Sequence, residues 1–185
     1  MLYLVGGASR AGKSTLAERM RTRHGVPWFA LDALKMGLFL GAPELGVHPE
    51  HDDFETADLM WPILRGLLEN LIFDGRDYLV EGVNLRPRTV AIFQSETEAP
   101  VAAVFLGYPE IDLAAKSRQV ADGAGQHNDW LNRMGHDYIA QYLRESRRLS
   151  ASLRDECARL GLPFVDTSGD LDAAMARAES RLLGA

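Results

Sequence analysis

The chain has 185 residues, 46% hydrophobic and 25% charged, with a formal net charge of −6. That length suits one domain with a sizeable core, and the composition excludes disordered, collagen-like and repetitive chains. An acidic balance argues against a general nucleic-acid binder, which needs a positive field, but leaves room for a local anion site. No apolar run approaches the roughly 20 residues needed to span a bilayer, so no membrane association is expected. Cys157 is the single cysteine. With no partner for a disulfide and no basic leader before Leu2, a cytoplasmic protein is expected.

Leu2 to Val5 is a continuous apolar run ending at Gly6-Gly7, as expected of a strand buried on both faces of a parallel sheet. A helix is predicted from Lys13 to about His24, stopped by Gly25 and Pro27. Trp28 to Leu31 reads as a second strand ending at Asp32, which also suits the N-cap of a short helix over Ala33 to Leu40. Residues 41–52 read as a long loop. Phe54 to Phe73 has apolar residues at helical spacing, with Pro62 predicting a kink or a helix start near Trp61.

After a turn at Asp74 to Asp77, Tyr78 to Val80 forms a third strand ending at Glu81-Gly82. A helix from Pro87 to about Glu96, a strand from Val101 to Leu106 and a helix from Ile111 to about Ala121 follow. Asp122 to Asp129 is polar and glycine-rich and reads as a mobile loop. His136 to Leu160 has an amphipathic helical stripe ending at Gly161. Leu162 to Val165 is the fifth strand and Leu171 to Leu183 the closing helix.

Strands alternating with helices imply an α/β fold, a parallel sheet covered on both faces, with right-handed crossovers. The strands' carboxyl ends then share one edge, where residues 7–15, 32, 81 and the segment after 106 converge.

Gly7-Ala8-Ser9-Arg10-Ala11-Gly12-Lys13-Ser14 matches Gly-x-x-x-x-Gly-Lys-Ser/Thr in full, and Thr15 follows. The motif lies between a buried strand and a helix, the context its chemistry requires. Its glycines let backbone N–H groups curl around phosphate oxygens, and the helix N-terminus adds favourable partial charge. Lys13 is placed for the β- and γ-phosphates, Ser14 for Mg²⁺ and Thr15 for the α-phosphate of ATP. The rival reading is a glycine-rich turn that happens to carry Lys-Ser.

Asp32 and Glu81 fall at neighbouring strand ends. Phosphoryl transfer needs a group to orient the acceptor hydroxyl and oxygen ligands for Mg²⁺. Asp32 is assigned the first role and Glu81 the Mg²⁺ shell or the acceptor; an N-cap and a turn residue are the structural alternatives. Arg86 and Arg88 are candidates to grip an anionic acceptor, or are exposed helix-start residues. His48 and His51 beside Asp52 and Asp53 complete no zinc pattern and read as a substrate-facing or solvated loop. Trp130 and Tyr138 suit packing of a lid, a hinge or the core.

With Gly6 to Thr15, Leu31-Asp32-Ala33-Leu34 and Leu79-Val80-Glu81-Gly82-Val83-Asn84, the chain resembles the nucleoside-monophosphate-kinase-like group of P-loop kinases. The Gly-Gly-Ala-Ser start and the Val-Glu-Gly-Val strand end are most similar to 2-phosphoglycerate kinase. Asp32 is similar to the catalytic Asp of chloramphenicol phosphotransferase and zeta-toxin-type kinases. The resemblance implies a five-stranded sheet of order 2-3-1-4-5, a mobile lid at about 118–135, Mg·ATP, and a small hydroxyl or phosphate acceptor. It also implies lid arginines on the transferring phosphoryl group, for which Arg118 and Arg133 are the candidates, solvated surface positions being the alternative. Thr167-Ser168-Gly169 follows the fifth strand, where such kinases wrap the nucleotide base. The expected function is an ATP-dependent small-molecule kinase; a nucleotide-dependent switch without transfer, or a toxin- or resistance-type phosphotransferase, remain open. No residue pattern indicates an oligomeric state.

Overall fold

The computed structural model describes residues 1–122 and 130–184. The strands are β1 (Leu2–Gly7), β2 (Trp28–Ala30), β3 (Tyr78–Glu81), β4 (Val101–Gly107) and β5 (Phe164–Asp166), joined in one parallel sheet of order β2-β3-β1-β4-β5. The helices are α1 (Lys13–His24), α2 (Leu31–Gly41), α3 (Asp53–Asp74), α4 (Pro87–Glu96), α5 (Leu113–Asp122), α6 (His136–Leu160) and α7 (Leu171–Leu183). This is the α/β architecture and strand order expected.

β1 is central and wholly buried, and its side chains divide between two cores. Tyr3 and Val5 face Leu16, Ala17 and Met20 of α1 and Ala174, Met175 and Ala178 of α7. Leu2 and Leu4 face Leu64 and Leu68 of α3 and Val90 and Phe93 of α4. The strict alternation of a strand accounts for this division, and each fully buried leucine contributes about 1.5–3 kcal/mol of transfer free energy. Glu179 on α7 ties the first core together, accepting from Arg19 Nε at 2.6 Å and lying 2.7 Å from His24 Nε2 of α1.

Leu31 ends no strand: it opens α2, fully buried, against Gly82, where an added Cβ would stand 2.6 Å from Leu31 Cβ. The β2–α2 junction thus packs closely on the end of β3, and the helix begins two residues earlier than expected, at Leu31 rather than Ala33. Asp32 consequently lies in the first turn of α2 rather than at its N-cap, which is Ala30 with no side-chain cap.

The helix carrying Pro62 starts at Asp53, not near Trp61, because Asp52 caps it, accepting from the Phe54 and Glu55 amides at 2.8 and 3.4 Å. Pro62 forfeits one backbone bond inside a helix that runs on to Asp74. Burial of Met60, Leu64 and Leu68 on the same helix offsets that loss.

Asp122, read as the start of a loop, is the last residue of α5. The remainder of that predicted mobile loop, 123–129, lies outside the described residues. Beyond it, Leu131–Arg133 forms a single 3-10 turn packed on α5 and α6: Leu131 is buried with Val120 and Leu143, and Asn132 Nδ2 donates to the Val120 carbonyl at 2.8 Å. No helix among the described residues is long and apolar enough to cross a membrane.

Candidate active site at the sheet edge

The phosphate loop is shaped by its neighbours. Gly7 has φ +132, and a Cβ there would fall 2.1 Å from the Leu106 carbonyl oxygen of β4, so only glycine fits. The chain then passes through Arg10, the single non-glycine with positive φ (61°) among the described residues, and Gly12 (φ 96°) into α1. The first N–H groups of α1 have no partner within the helix, which leaves an anion site at its N-terminus.

Lys13 is buried, and its ammonium donates to the Ala8 carbonyl at 2.8 Å. Burial pulls its pKa below the usual lysine value, while the carboxylates of Glu81, Asp32 and Asp53 push it back up. Ser14 Oγ donates to Glu81 Oε1 at 2.8 Å. Glu81 is buried at the end of β3, and desolvation raises its pKa against the pull of Lys13 and the Ser14 bond. Ser14 and Glu81, both expected at this sheet edge, are in direct contact.

These residues line a cavity of ≈ 300 Å³ together with Ser9, Arg10, Thr15, Asp32, Lys116 and Trp130. Thr167 and Gly169, from the loop after β5, close another side of it. Asp32 is on the wall, with its side chain 53% exposed and 3.1 Å from Lys35 Nζ.

Arg118 and Arg133 do not line this cavity: both side chains are exposed, on α5 and on the 3-10 turn. The cation that α5 directs inward is Lys116. Positions two apart on a helix point about 200° from each other, so 116 and 118 cannot share a face. The apolar phase of α5 carried the signal, since Val120, four residues beyond Lys116, is buried.

Arg86 is half-buried, its guanidinium 4.1 Å above the Phe54 ring and 3.6 Å from Asp58. Arg88 is exposed in the first turn of α4. His48 packs its ring against Phe39 at 4.7 Å, and no cluster of metal-ligating side chains occurs among the described residues. Trp130 meets Tyr142 of α6 edge-on at 5.2 Å, and Tyr142 stacks on Tyr138.

Asp53, read from the sequence as part of a substrate-facing or solvated loop, is the first residue of α3. Half-buried at the start of α3, it has its pKa raised by desolvation and lies within electrostatic reach of Lys35, Lys13 and Asp32. Asp53 also lines a second cavity of ≈ 450 Å³ between α3 and α6, with Asp52, Phe54, Tyr142, Glu145 and Arg148.

No protein-family model and no curated protein matches the chain. Solved structures do. A sugar kinase from Janibacter sp. HTCC2649 superposes with a TM-score of 0.59 at 20% identity, over 98% of this chain and 93% of that one. A gluconokinase from Sinorhizobium meliloti 1021 gives 0.55 at 21% identity, over 98% and 95%. A shikimate kinase from Bacteroides thetaiotaomicron gives 0.58 at 17% identity, over 100% and 99%. The chain has the fold of these kinases. At these identities the likeness concerns the fold, and chemistry has to be argued from the site itself.

Proposed function

We propose that this protein is an ATP-dependent kinase that transfers the γ-phosphoryl group to a hydroxyl of a small acceptor. The observation that carries this reading is the complete phosphate loop with its Ser14 hydroxyl bonded to the buried Glu81 carboxylate at the same sheet edge. A purely structural turn gains nothing from a buried carboxylate and a buried ammonium facing one cavity, both of which cost desolvation free energy.

In this reading Lys13 leaves the Ala8 carbonyl to meet the β- and γ-phosphates, and the N-terminus of α1 receives the phosphate oxygens. Ser14 and Glu81 form a hard-oxygen pair suited to Mg²⁺, which takes one or two protein oxygens beside phosphate and water. When bound, Mg²⁺ would supply charge neutralisation on the transferring phosphate. Asp32, on the cavity wall and open to solvent, orients the acceptor hydroxyl and takes its proton as the acceptor O–P bond forms and the γ-phosphorus parts from the β,γ-bridging oxygen, which leaves with ADP. Thr167 and Gly169 border the nucleotide on the β5 side. The Gly6–Ser9 start and the Val80–Val83 strand end support a place near the nucleoside-monophosphate-kinase-like group.

The second cavity is the candidate acceptor side, because Asp53 belongs to it and is also within electrostatic reach of Lys13 and Asp32. Its charged lining is Asp52, Asp53 and Glu145 against Arg148, which favours a neutral, hydroxyl-bearing acceptor over a phosphorylated one. Arg86, expected to grip an anion, is engaged by Phe54 and Asp58.

The test is transfer from γ-labelled ATP to a panel of neutral polyols, sugar acids and sugar phosphates, with Lys13→Ala as control. The reading predicts a labelled product that the variant fails to make. Full activity in Lys13→Ala, or nucleotide-dependent capture of a protein partner with no transfer to any acceptor, would replace the kinase by another function.

A further inference from the structure

Three consecutive carbonyls of the phosphate loop are each occupied by a side chain: Ala8 by Lys13 Nζ at 2.8 Å, Ser9 by Tyr108 Oη at 2.9 Å and Arg10 by Lys116 Nζ at 2.8 Å. Lys13 belongs to the motif and has work to do on the nucleotide. Tyr108 and Lys116 do not belong to it; they come from the residue after β4 and from α5. The two also touch each other, the ammonium lying 4.6 Å from the ring centroid. Both are buried, Tyr108 at 0% exposure and Lys116 at 9%.

Burying an ammonium is costly unless its bonds are made. Lys116 spends its visible hydrogen bond on Arg10, whose backbone is in the left-handed region that a side chain disfavours. Such a conformation persists only where its surroundings fix it. Carbonyls held toward one side of the chain leave the N–H groups of the turn to face the other, where phosphate oxygens would lie.

We propose that Tyr108 and Lys116 form a clamp that holds the phosphate loop in its anion-binding shape before nucleotide arrives, Lys116 acting as a positioning residue. This rests on the reading that the loop binds nucleotide phosphate. The clamp lowers the ordering cost of binding and so sets nucleotide affinity. Burial, and then the charge of Arg10, lower the Lys116 pKa to about 8. Among the described residues, the groups facing it are Arg10 from the loop and the Tyr108 ring, with the Tyr142 hydroxyl of α6 near Arg10. As pH rises through that value the bond to Arg10 loses its charge assistance, and affinity for nucleotide should fall.

Amide hydrogen exchange of residues 6–14 in the nucleotide-free protein tests the clamp directly. A titration with a non-hydrolysable ATP analogue between pH 6.5 and 9.5 tests its consequence. Lys116→Met should speed exchange of the loop several-fold. It should also weaken the analogue roughly tenfold or more, the scale of one charge-assisted hydrogen bond, with no loss of affinity around pH 8. Lys116→Arg should restore protection and flatten the alkaline limb. Tyr108→Phe, which removes only the hydroxyl and keeps the ring, should speed exchange to a smaller degree and covers the case in which Lys116→Met does not fold.

Unchanged exchange with weakened binding would make Lys116 a direct ligand contact and overturn the clamp. Unchanged exchange in both Lys116→Met and Tyr108→Phe overturns it outright. If the wild-type protein fails to bind the analogue, the nucleotide reading falls, while the exchange measurement still decides whether the clamp exists.

Discussion

Ser14 Oγ donates to Glu81 Oε1 at 2.8 Å, so the first turn of α1 and the carboxyl end of β3 meet although 67 residues separate them. Burial holds the Glu81 pKa above the usual carboxylate value of 4.5, against Lys13 and the Ser14 bond. A carboxyl group whose pKa is raised on folding stabilises the fold at low pH and loses that contribution as pH rises through its folded value. The ionised group therefore costs stability at neutral pH in the nucleotide-free protein. Glu81→Gln should raise the Tm at pH 7 by roughly 2–4 °C, the shift that about 1 kcal/mol gives at this size. The same change should lower Mg²⁺-dependent turnover about a hundredfold or more. Thermal melts and a Mg²⁺ titration of activity check both signs; unaltered turnover would remove Glu81 from the site.

Asp32 offers a different separation. Its pair with Lys35 is half-exposed and contributes little to stability. Asp32→Asn should leave the Tm and ATP-analogue affinity nearly unchanged while kcat falls roughly 10²–10⁴-fold, the range for a lost general base. Asp53→Asn, on the second cavity, should raise the acceptor KM more than it lowers kcat. Steady-state kinetics in both substrates resolve the two, and a reversal would exchange their roles.

Arg118 and Arg133 stand outside the cavity, and exposed charges are screened by solvent and salt. Arg118→Ala and Arg133→Ala should each change kcat by less than about threefold, in keeping with the small energies of surface charges. A drop of a hundredfold in either variant would restore that arginine to the transferring phosphate.

The Glu179 cluster is structural and should show acid sensitivity of its own. Desolvation pushes this carboxyl up, but hydrogen bonds from His24 and Arg19 and the charges of Arg19 and Arg23 bring its pKa below 4.5 overall. Its contribution is therefore present above the unfolded pKa and is lost as pH falls through the lower folded value. Glu179→Ala should cost roughly 1.5–3 kcal/mol in urea unfolding at pH 7, the scale of hydrogen bonds to charged groups. The loss should shrink toward pH 3, with turnover per folded molecule unchanged.

The sequence by itself determined the order of strands and helices, the phosphate loop and the acid that ends β3. Those signals are local: an apolar run buried on both faces, a helical period, or a glycine motif whose spacing is fixed by phosphate geometry. It also placed Ser14 and Glu81 on one edge, because right-handed crossovers leave little freedom in the sheet. Only the tertiary structure decided which cation faces the loop. Arg118 looked suitable as an arginine beside a glycine-rich segment, yet the helical phase of α5 turns it to solvent and turns Lys116 onto the Arg10 carbonyl. Likewise Leu31 joined α2, packed against Gly82 at the end of β3, and Asp53 borders the second cavity at the start of α3, which Asp52 caps. These outcomes depend on contacts between distant segments, where one atom's clearance or one helix's rotation selects the residue, and no local pattern records them.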